Sequence, residues 1–228
     1  MKNFAFIFAR GGSKRIKNKN LQKIGNKSLL QITFNQAQKI KGINKIFLST
    51  DSKKIARTAK KFDIEIIMRP KVLAKDKSSE WHAWQHAIKY ANKKYKFDKF
   101  ICLPVTSPLR SKKDIQNCIK KKNANNDIVI TITETQRNPW YNMVKLNKKN
   151  KVEIVNSKKS KIIDIRQKAP KVYDMTTVCY VASPDYILKN KSIFSGKVEA
   201  VVVPKESSLD IDTFYDLKIA RLMYSKYK

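Results

Sequence analysis

The sequence predicts an α/β fold, a three-layer sandwich in which helices cover a mostly parallel sheet. Seven apolar segments recur along the 228 residues, and stretches with helical periodicity lie between them. Most of these segments are continuous apolar runs, which is typical of strands that are buried on both faces. Strands that alternate with helices indicate a parallel sheet that binds its ligands at the carboxyl ends of the strands.

The individual elements follow from these patterns. The predicted strands are all rich in apolar side chains, and they cover residues 4–9, 45–49, 64–68, 100–103, 128–133, 177–182 and 199–203. Between residues 79 and 95, apolar side chains repeat every three or four positions, which predicts a helix with one buried face. That face would consist of Trp81, Trp84, Ile88, Ala91 and Tyr95. A last helix is expected to bury Phe214, Leu217, Ala220 and Tyr224.

The pattern breaks between residues 137 and 175, where short β-like pieces at 142–146 and 152–155 are joined by lysine-rich turns. The segment still carries apolar side chains such as Trp140 and Met143, which need burial. We therefore interpret it as a small β-rich insertion used for dimerisation, within a single domain that covers residues 1–228.

The first predicted strand runs into the most informative loop, Arg10-Gly11-Gly12-Ser13-Lys14-Arg15. Glycine lets backbone N–H groups approach phosphate oxygens and the cations neutralise them, so this loop predicts a site for a nucleoside triphosphate. It lacks the spacing of a Walker A loop and the third glycine of the dinucleotide fingerprint. Taken alone, the loop is equally compatible with a simple turn among solvated cations.

Composition narrows the classes of partner. The net charge is +32, but lysine supplies 42 of the 50 cations and is spread along the chain. Nucleic-acid readers generally use arginine and gather it with aromatic side chains in one groove, so a lysine bias explains the charge without a specific nucleic acid. The three cysteines form no C-x-x-C pair, which predicts neither a disulfide nor a zinc site. No apolar run approaches the ~20 residues that span a bilayer, and we expect a cytoplasmic protein with no membrane partner.

Asp210 and Asp212 are separated by one residue just before the last predicted helix. In an extended segment, alternation places both carboxylates on the same side, where they could hold a hard cation such as Mg²⁺. The alternative is that Asp212 or Thr213 only caps the helix. A chain with 50 basic and 18 acidic residues has few acids to place in pairs, which favours the metal interpretation.

Six motifs, in the same order along the chain, resemble the acylneuraminate cytidylyltransferases, enzymes that activate sialic acid and its bacterial relatives with CTP. The motifs are 9–14 with 17–20, Ser49-Thr50-Asp51, Arg69-Pro70 with Leu73-Ala74-x-Asp76, Thr106-Ser107-Pro108-Leu109-Arg110, Arg166-Gln167-x-Ala169-Pro170 and Asp210-Ile211-Asp212. The resemblance implies a Rossmann-like nucleotidyltransferase fold and a homodimer. It also implies Mg²⁺-dependent transfer of CMP from CTP to a nonulosonic sugar acid, with release of pyrophosphate, for surface glycan biosynthesis.

The resemblance further implies roles for residues at matching positions. The triphosphate would contact Arg10, Lys14 and Lys19, and Mg²⁺ would bind to Asp210 and Asp212. The other CTP-binding positions would be Ala9, Gly11, Gly12, Ser13, Asn20, Arg69, Ser78 and Ser79, of which the last four would recognise cytidine. The sugar acid would be bound by Pro104, Thr106, Ser107, Arg110, Tyr141, Arg166 and Gln167.

Two departures from the family pattern concern the sugar acid. Many sialic acid enzymes carry Gln-Pro before Thr-Ser-Pro-Leu-Arg, whereas this chain has Pro104-Val105. The segments 137–144 and 166–175 are most similar to the branch that activates legionaminic acid, so we expect legionaminic acid to be used better than N-acetylneuraminic acid. A CMP-3-deoxy-manno-octulosonate-type or other sugar nucleotidyltransferase, and a non-catalytic nucleotide or nucleic-acid binding protein, are the alternatives.

Overall fold

The computed structural model describes residues 1–76, 78–156 and 163–225. The strands in these ranges are β1 (Asn3–Phe8), β2 (Lys23–Ile24), β3 (Lys27–Ser28), β4 (Ile43–Thr50), β5 (Glu65–Met68), β6 (Lys99–Cys102), β7 (Ile128–Glu134), β8 (Val144–Leu146), β9 (Val152–Ile154), β10 (Tyr173–Ala182) and β11 (Val198–Val202). The α-helices are α1 (Leu29–Gln38), α2 (Lys53–Ala59), α3 (Glu80–Asn92), α4 (Lys112–Lys121), α5 (Pro184–Lys189) and α6 (Phe214–Ser225).

Seven strands form one sheet in the order β11-β7-β10-β6-β1-β4-β5. Strand β10 runs antiparallel to both of its neighbours, and the other pairs are parallel. All seven predicted strands are present in this sheet, which confirms the predicted α/β class. Strand β10 begins four residues earlier than predicted, because residues 173–175 also pair with β7. These residues are exposed and form no continuous apolar run, so the sequence gives no sign that they belong to the strand.

The core lies on both faces of the sheet. Phe6 and Ile7 of β1 are fully buried in two different apolar clusters. Phe6 stacks on Phe47 and Phe100, with ring centroids 4.9 and 4.8 Å apart, in the cluster that α3 covers. The buried face of α3 is confirmed except for Tyr95, which packs against the same cluster from beyond the end of the helix.

The last helix differs from its prediction at its first residue, whereas Tyr224 near its end packs against the core as expected. Leu217 and Ala220 are fully buried, but Phe214 is exposed. Thr213 caps the helix, since its Oγ1 accepts from the Asp216 backbone N–H at 3.3 Å and the Asp216 carboxylate accepts from the Thr213 backbone N–H at 2.7 Å. The carboxylate of Asp212 takes no part in this cap and is available for other partners.

The segment predicted as an insertion contains the antiparallel hairpin of β8 and β9, although residues 157–162 lie outside the described ranges. Val144, Leu146 and Val152 of this hairpin are exposed. Its use for dimerisation stays a prediction. All three cysteines are buried and free. Within the described ranges, no helix is long and apolar enough to cross a membrane.

Candidate active site

Polar loops follow β1, β4 and β6 at the same edge of the sheet, because these three strands are parallel and adjacent. A cleft of about 380 Å³ opens there. It is lined by Phe8, Arg10, Ser13, Lys14, Arg15, Ile16, Lys19, Asn20, Asp76, Thr106 and Asp212. A second cavity of about 300 Å³ shares Phe8, Arg10 and Asp76 with this cleft and continues towards Arg69, Ser78 and Ser79. The structure therefore brings together most of the residues predicted to bind CTP.

The loop after β1 is held from both sides. The Asn20 side-chain amide donates to the Arg10 carbonyl at 2.9 Å, and the Gly11 backbone N–H donates to the Asp51 carboxylate at 2.9 Å. A Cβ at Gly11 would lie only 3.0 Å from the Ser52 Cβ. The two loops approach so closely here that a residue without a side chain is favoured. At Gly12 a Cβ would meet no atom within 4 Å. Ala9 is fully buried, so the loop and not its side chain faces the cleft.

Carboxylates neutralise the cations of the cleft. Arg10 Nη1 lies 2.8 Å from Asp76 Oδ1, and Lys14 pairs with the second oxygen of the same carboxylate. These contacts, first that of Lys14 and then that of Arg10, hold the pKa of Asp76 below its usual range. Asp212 is paired with Lys19 at 3.0 Å and with Arg15 at 3.4 Å. The four cations outnumber the two carboxylates, which favours a polyanionic ligand.

The segment from Asp210 to Asp212 is fastened to the cleft through its backbone. The Ile211 backbone N–H donates to the Thr106 carbonyl at 2.9 Å, and the Lys19 ammonium donates to the Ile211 carbonyl at 2.8 Å. The Ile211 side chain is fully buried. Asp212 lines the cleft, whereas Asp210 is not among its lining residues and its carboxylate accepts from the Thr177 hydroxyl at 3.0 Å.

The two carboxylates suit a cation that arrives with a nucleotide. Mg²⁺ is commonly bound by one or two carboxylates together with substrate phosphate oxygens and water. In the parts of the chain that the structure describes, no three His, Cys, Asp or Glu side chains could hold a metal ion together. Asp210 and Asp212 alone therefore cannot complete the shell of a metal ion, and their role in binding Mg²⁺ together with phosphate oxygens stays a prediction.

Arg69 forms the inner wall of the second cavity. It is 8% exposed, and its Nε has no hydrogen-bond partner among the described residues. Burial lowers the pKa of Arg69, while the nearby Asp51 and Glu80 carboxylates act in the opposite direction. The serines beside it are partly engaged already, because the Ser78 hydroxyl donates to the Val72 carbonyl and the Ser79 hydroxyl accepts from the first turn of α3. Arg69 thus brings to the wall of this cavity a buried donor that has no partner among the described residues.

The loop after β6 departs from its predicted role. Arg110 is 3% exposed and donates to the Ser107 and Pro104 carbonyls of its own loop, and burial lowers its pKa to about 10. Ser107 is fully buried and pairs with the Thr177 hydroxyl. Of the four residues in this loop that were predicted to bind the sugar acid, only Thr106 lines the cleft. The other three, Pro104, Ser107 and Arg110, maintain the shape of the loop.

Residues predicted for the sugar acid also line a separate cavity of about 330 Å³ between β7, β10 and the insertion. Arg166 and Gln167 belong to it, together with Arg137 and Asn138. Both Arg166 and Gln167 are exposed, and the guanidinium of Arg166 reaches the Thr135 carbonyl at 3.4 Å. Tyr141 is half-buried and does not line this cavity. No lining residue is common to this cavity and the nucleotide cleft.

Sequence reasoning assigned no individual role to Asp51 or Thr177. Asp51 stands in one of the six motifs, and its position after a buried strand was the available signal. Thr177 lies inside an apolar strand segment, and nothing in the sequence marks its contact with Asp210 at 3.0 Å.

Comparison with known proteins identifies the family of this chain. A CMP-N,N'-diacetyllegionaminic acid synthase of Campylobacter jejuni is 35% identical over 223 residues, which cover 96% of this chain and 93% of that protein. The post-translational flagellin modification protein B of Campylobacter coli is 32% identical over 221 residues, or 95% and 92% of the two chains.

A solved structure of CMP:2-keto-3-deoxy-manno-octonic acid synthetase complexed with CTP matches all of this chain and all of its own, with a TM-score of 0.72 at 16% identity. This likeness confirms the Rossmann-like nucleotidyltransferase fold. The family model described as cytidylyltransferase matches residues 4–221, nearly the whole chain. The cleft at the carboxyl edge of the sheet is therefore the candidate active site, and the chain belongs to the cytidylyltransferase family.

Proposed function

We propose that this protein transfers CMP from CTP to the anomeric hydroxyl of a nonulosonic sugar acid and releases pyrophosphate. The observation that carries the proposal is the 35% identity, over nearly the full length, to a CMP-N,N'-diacetyllegionaminic acid synthase. The cationic cleft supports it, since charge neutralisation is what transfer from a triphosphate requires. A legionaminic-type acid is the proposed acceptor, because the relative that is 35% identical is named for the activation of such an acid.

In this proposal, the nucleotide lies along the cleft and its continuation. Arg10, Lys14 and Lys19 contact the phosphates, and binding of CTP releases them from their carboxylate partners. The unpartnered Nε of Arg69 donates to an acceptor of the cytosine ring. The sugar hydroxyl then attacks the α-phosphorus in line, with catalysis by positioning and charge neutralisation and without a covalent enzyme intermediate.

Asp210 and Asp212 are the proposed holders of Mg²⁺. When bound, Mg²⁺ supplies Lewis-acid neutralisation of the phosphate oxygens. Asp212 is paired with Lys19 in this structure, so loading of the site includes a change of partner in which Lys19 turns from Asp212 to a phosphate. Asp210 keeps its hydrogen bond from Thr177 and needs no such exchange.

A homodimer completes the proposal. The exposed apolar side chains Val144, Leu146 and Val152 lie on the hairpin, and Met175 is exposed on β10. A second copy of the chain could bury this surface. Light scattering of the purified protein tests the dimer, and a Leu146→Glu variant should shift it towards the monomer. A wild-type monomer at all protein concentrations would contradict this part.

The activity is tested by incubating the protein with CTP, Mg²⁺ and one acid at a time and by measuring pyrophosphate release. The panel contains N,N'-diacetyllegionaminic, pseudaminic and N-acetylneuraminic acids together with 3-deoxy-manno-octulosonic acid. We expect the first acid to give the highest kcat/KM, and UTP to replace CTP poorly. Turnover confined to 3-deoxy-manno-octulosonic acid, or equal use of UTP, would refute the proposal.

A further inference from the structure

Two hydroxyl groups connect the loop after β6 to the Asp210 carboxylate. The Thr177 hydroxyl donates to Asp210 Oδ1 at 3.0 Å, and the Ser107 and Thr177 hydroxyl oxygens are 2.6 Å apart. A carboxylate can only accept, and a hydroxyl has one proton to donate. The two hydrogen bonds therefore run in one direction: the Ser107 hydroxyl donates to Thr177, and the Thr177 hydroxyl donates to Asp210.

An irregularity in the sheet aims Thr177 at this carboxylate. Strand β10 pairs Thr176 with Thr131 and Val181 with Val129, so residues 177–180 form a bulge opposite a single residue of β7. The bulge is stabilised from inside, because the Thr131 hydroxyl accepts from the Thr176 hydroxyl at 2.7 Å and from the Cys179 backbone N–H at 3.2 Å. Bulges beside active sites commonly redirect a side chain in this way.

We infer that Thr177, supported by Ser107, is a positioning residue that orients the Asp210 carboxylate for the metal bound with CTP. This inference rests on the metal role proposed for Asp210. The hydrogen bond engages one carboxylate oxygen and leaves the second for a cation, and groups that orient a metal ligand in this way contribute about 10- to 100-fold to metal affinity or activity. Ser107 of the Thr-Ser-Pro motif thereby supports the metal site. Its side chain does not contact the sugar acid.

The test is calorimetric titration of CTP into the full-length protein without a sugar acid, once with Mg²⁺ and once with EDTA. The ratio of the two Kd values reports the metal-linked part of CTP binding and needs no turnover. In Thr177→Val the Mg²⁺-dependent gain in affinity should fall about 10-fold or more, while binding in EDTA stays unchanged. Thr177→Ser keeps the hydroxyl and should restore the gain.

Matched controls separate this role from packing. Thr33 is a fully buried threonine of α1 whose hydroxyl donates to the Leu29 carbonyl, and Thr33→Val should leave the metal-linked gain intact. Ser107→Ala should lose part of the gain, and Asp210→Asn all of it. The inference is overturned if Thr177→Val keeps the full gain, or if it weakens binding equally in Mg²⁺ and EDTA. If Asp210→Asn also keeps the gain, the metal role of Asp210 fails, and the inference fails with it.

Discussion

The nucleotide end and the acceptor end of this protein are built differently. In the nucleotide cleft, backbone groups of three loops are tied together, and both Arg10 and Lys19 are held by carboxylates. In the cavity at the insertion, Arg166 and Gln167 are exposed, and the hydrogen bond from the Arg166 guanidinium to the Thr135 carbonyl is long, at 3.4 Å. The contrast indicates that contacts within the chain preorganise the cleft at the sheet edge, whereas the side chains of the cavity at the insertion are held more loosely.

The strongest test of this contrast is Asp212→Ala. Loss of a metal carboxylate should lower kcat/KM by at least about 100-fold, because a bound metal ion supplies several kcal/mol of charge stabilisation. The thermal midpoint should hardly change, since Thr213 and Asp216 form the cap of α6 without Asp212. Steady-state kinetics at several Mg²⁺ concentrations measure the effect, with Asp185→Ala, an exposed acid at the start of α5, as control. Near-normal turnover would remove Asp212 from the metal site.

The next largest effect is expected for Lys19→Ala. Its ammonium is largely buried at the base of the cleft, and a hydrogen bond to a charged group contributes about 1.5–3 kcal/mol. The KM for CTP should therefore rise about 10- to 100-fold, while the KM for the sugar acid changes little. Lys120→Ala, on the exposed face of α4, is the matched control and should be silent. Equal losses in the two variants would indicate a diffuse polyanion surface.

Lys122 shows why composition alone could not separate functional from structural lysines. It follows Lys120 and Lys121 in sequence, but it is buried, and its ammonium donates to the Asn123 and Asn126 carbonyls beyond the end of α4. Lys99 is buried in the same way against the Ile119 and Lys122 carbonyls. These lysines stabilise a helix end, and the sequence offers no sign of it because their partners are backbone groups.

The strands and the phosphate loop were predictable because they depend on local patterns. A short continuous apolar run with turn residues on its flanks indicates a buried strand, and Gly11 lies two residues after the end of the first predicted strand. The role of Arg110 depends on how its own loop folds back, and that of Thr177 on how separate segments meet after folding. Arg110 resembles a cleft residue in sequence, but its carbonyl partners turn it inward, and Thr177 acquires its partner only through a bulge of β10.

At the acceptor end, Arg166→Ala should raise the KM for the sugar acid about tenfold, as expected for one lost charge-assisted contact to a carboxylate. The KM for CTP should stay the same, because the two cavities have no lining residue in common. Initial rates with each substrate varied in turn measure both constants. Arg137→Ala, in the same cavity, shows whether the carboxylate is bound by one arginine or by two. A rise in the KM for CTP alone would place Arg166 in the nucleotide site.

The smallest expected effect has the opposite sign. Asp76 is exposed and occupies Arg10 and Lys14 when no nucleotide is bound, so CTP has to displace it. Exposed ion pairs are weak, and Asp76→Asn should therefore tighten CTP binding only about two- to fivefold, with a smaller gain at high salt. Calorimetry at two salt concentrations measures the change, and Asp63→Asn, an exposed acid outside the cleft, is the control. Weaker binding by the variant would mean that Asp76 holds Arg10 in the orientation that CTP needs. The Arg10–Asp76 ion pair would then preorganise the nucleotide cleft and would not block it.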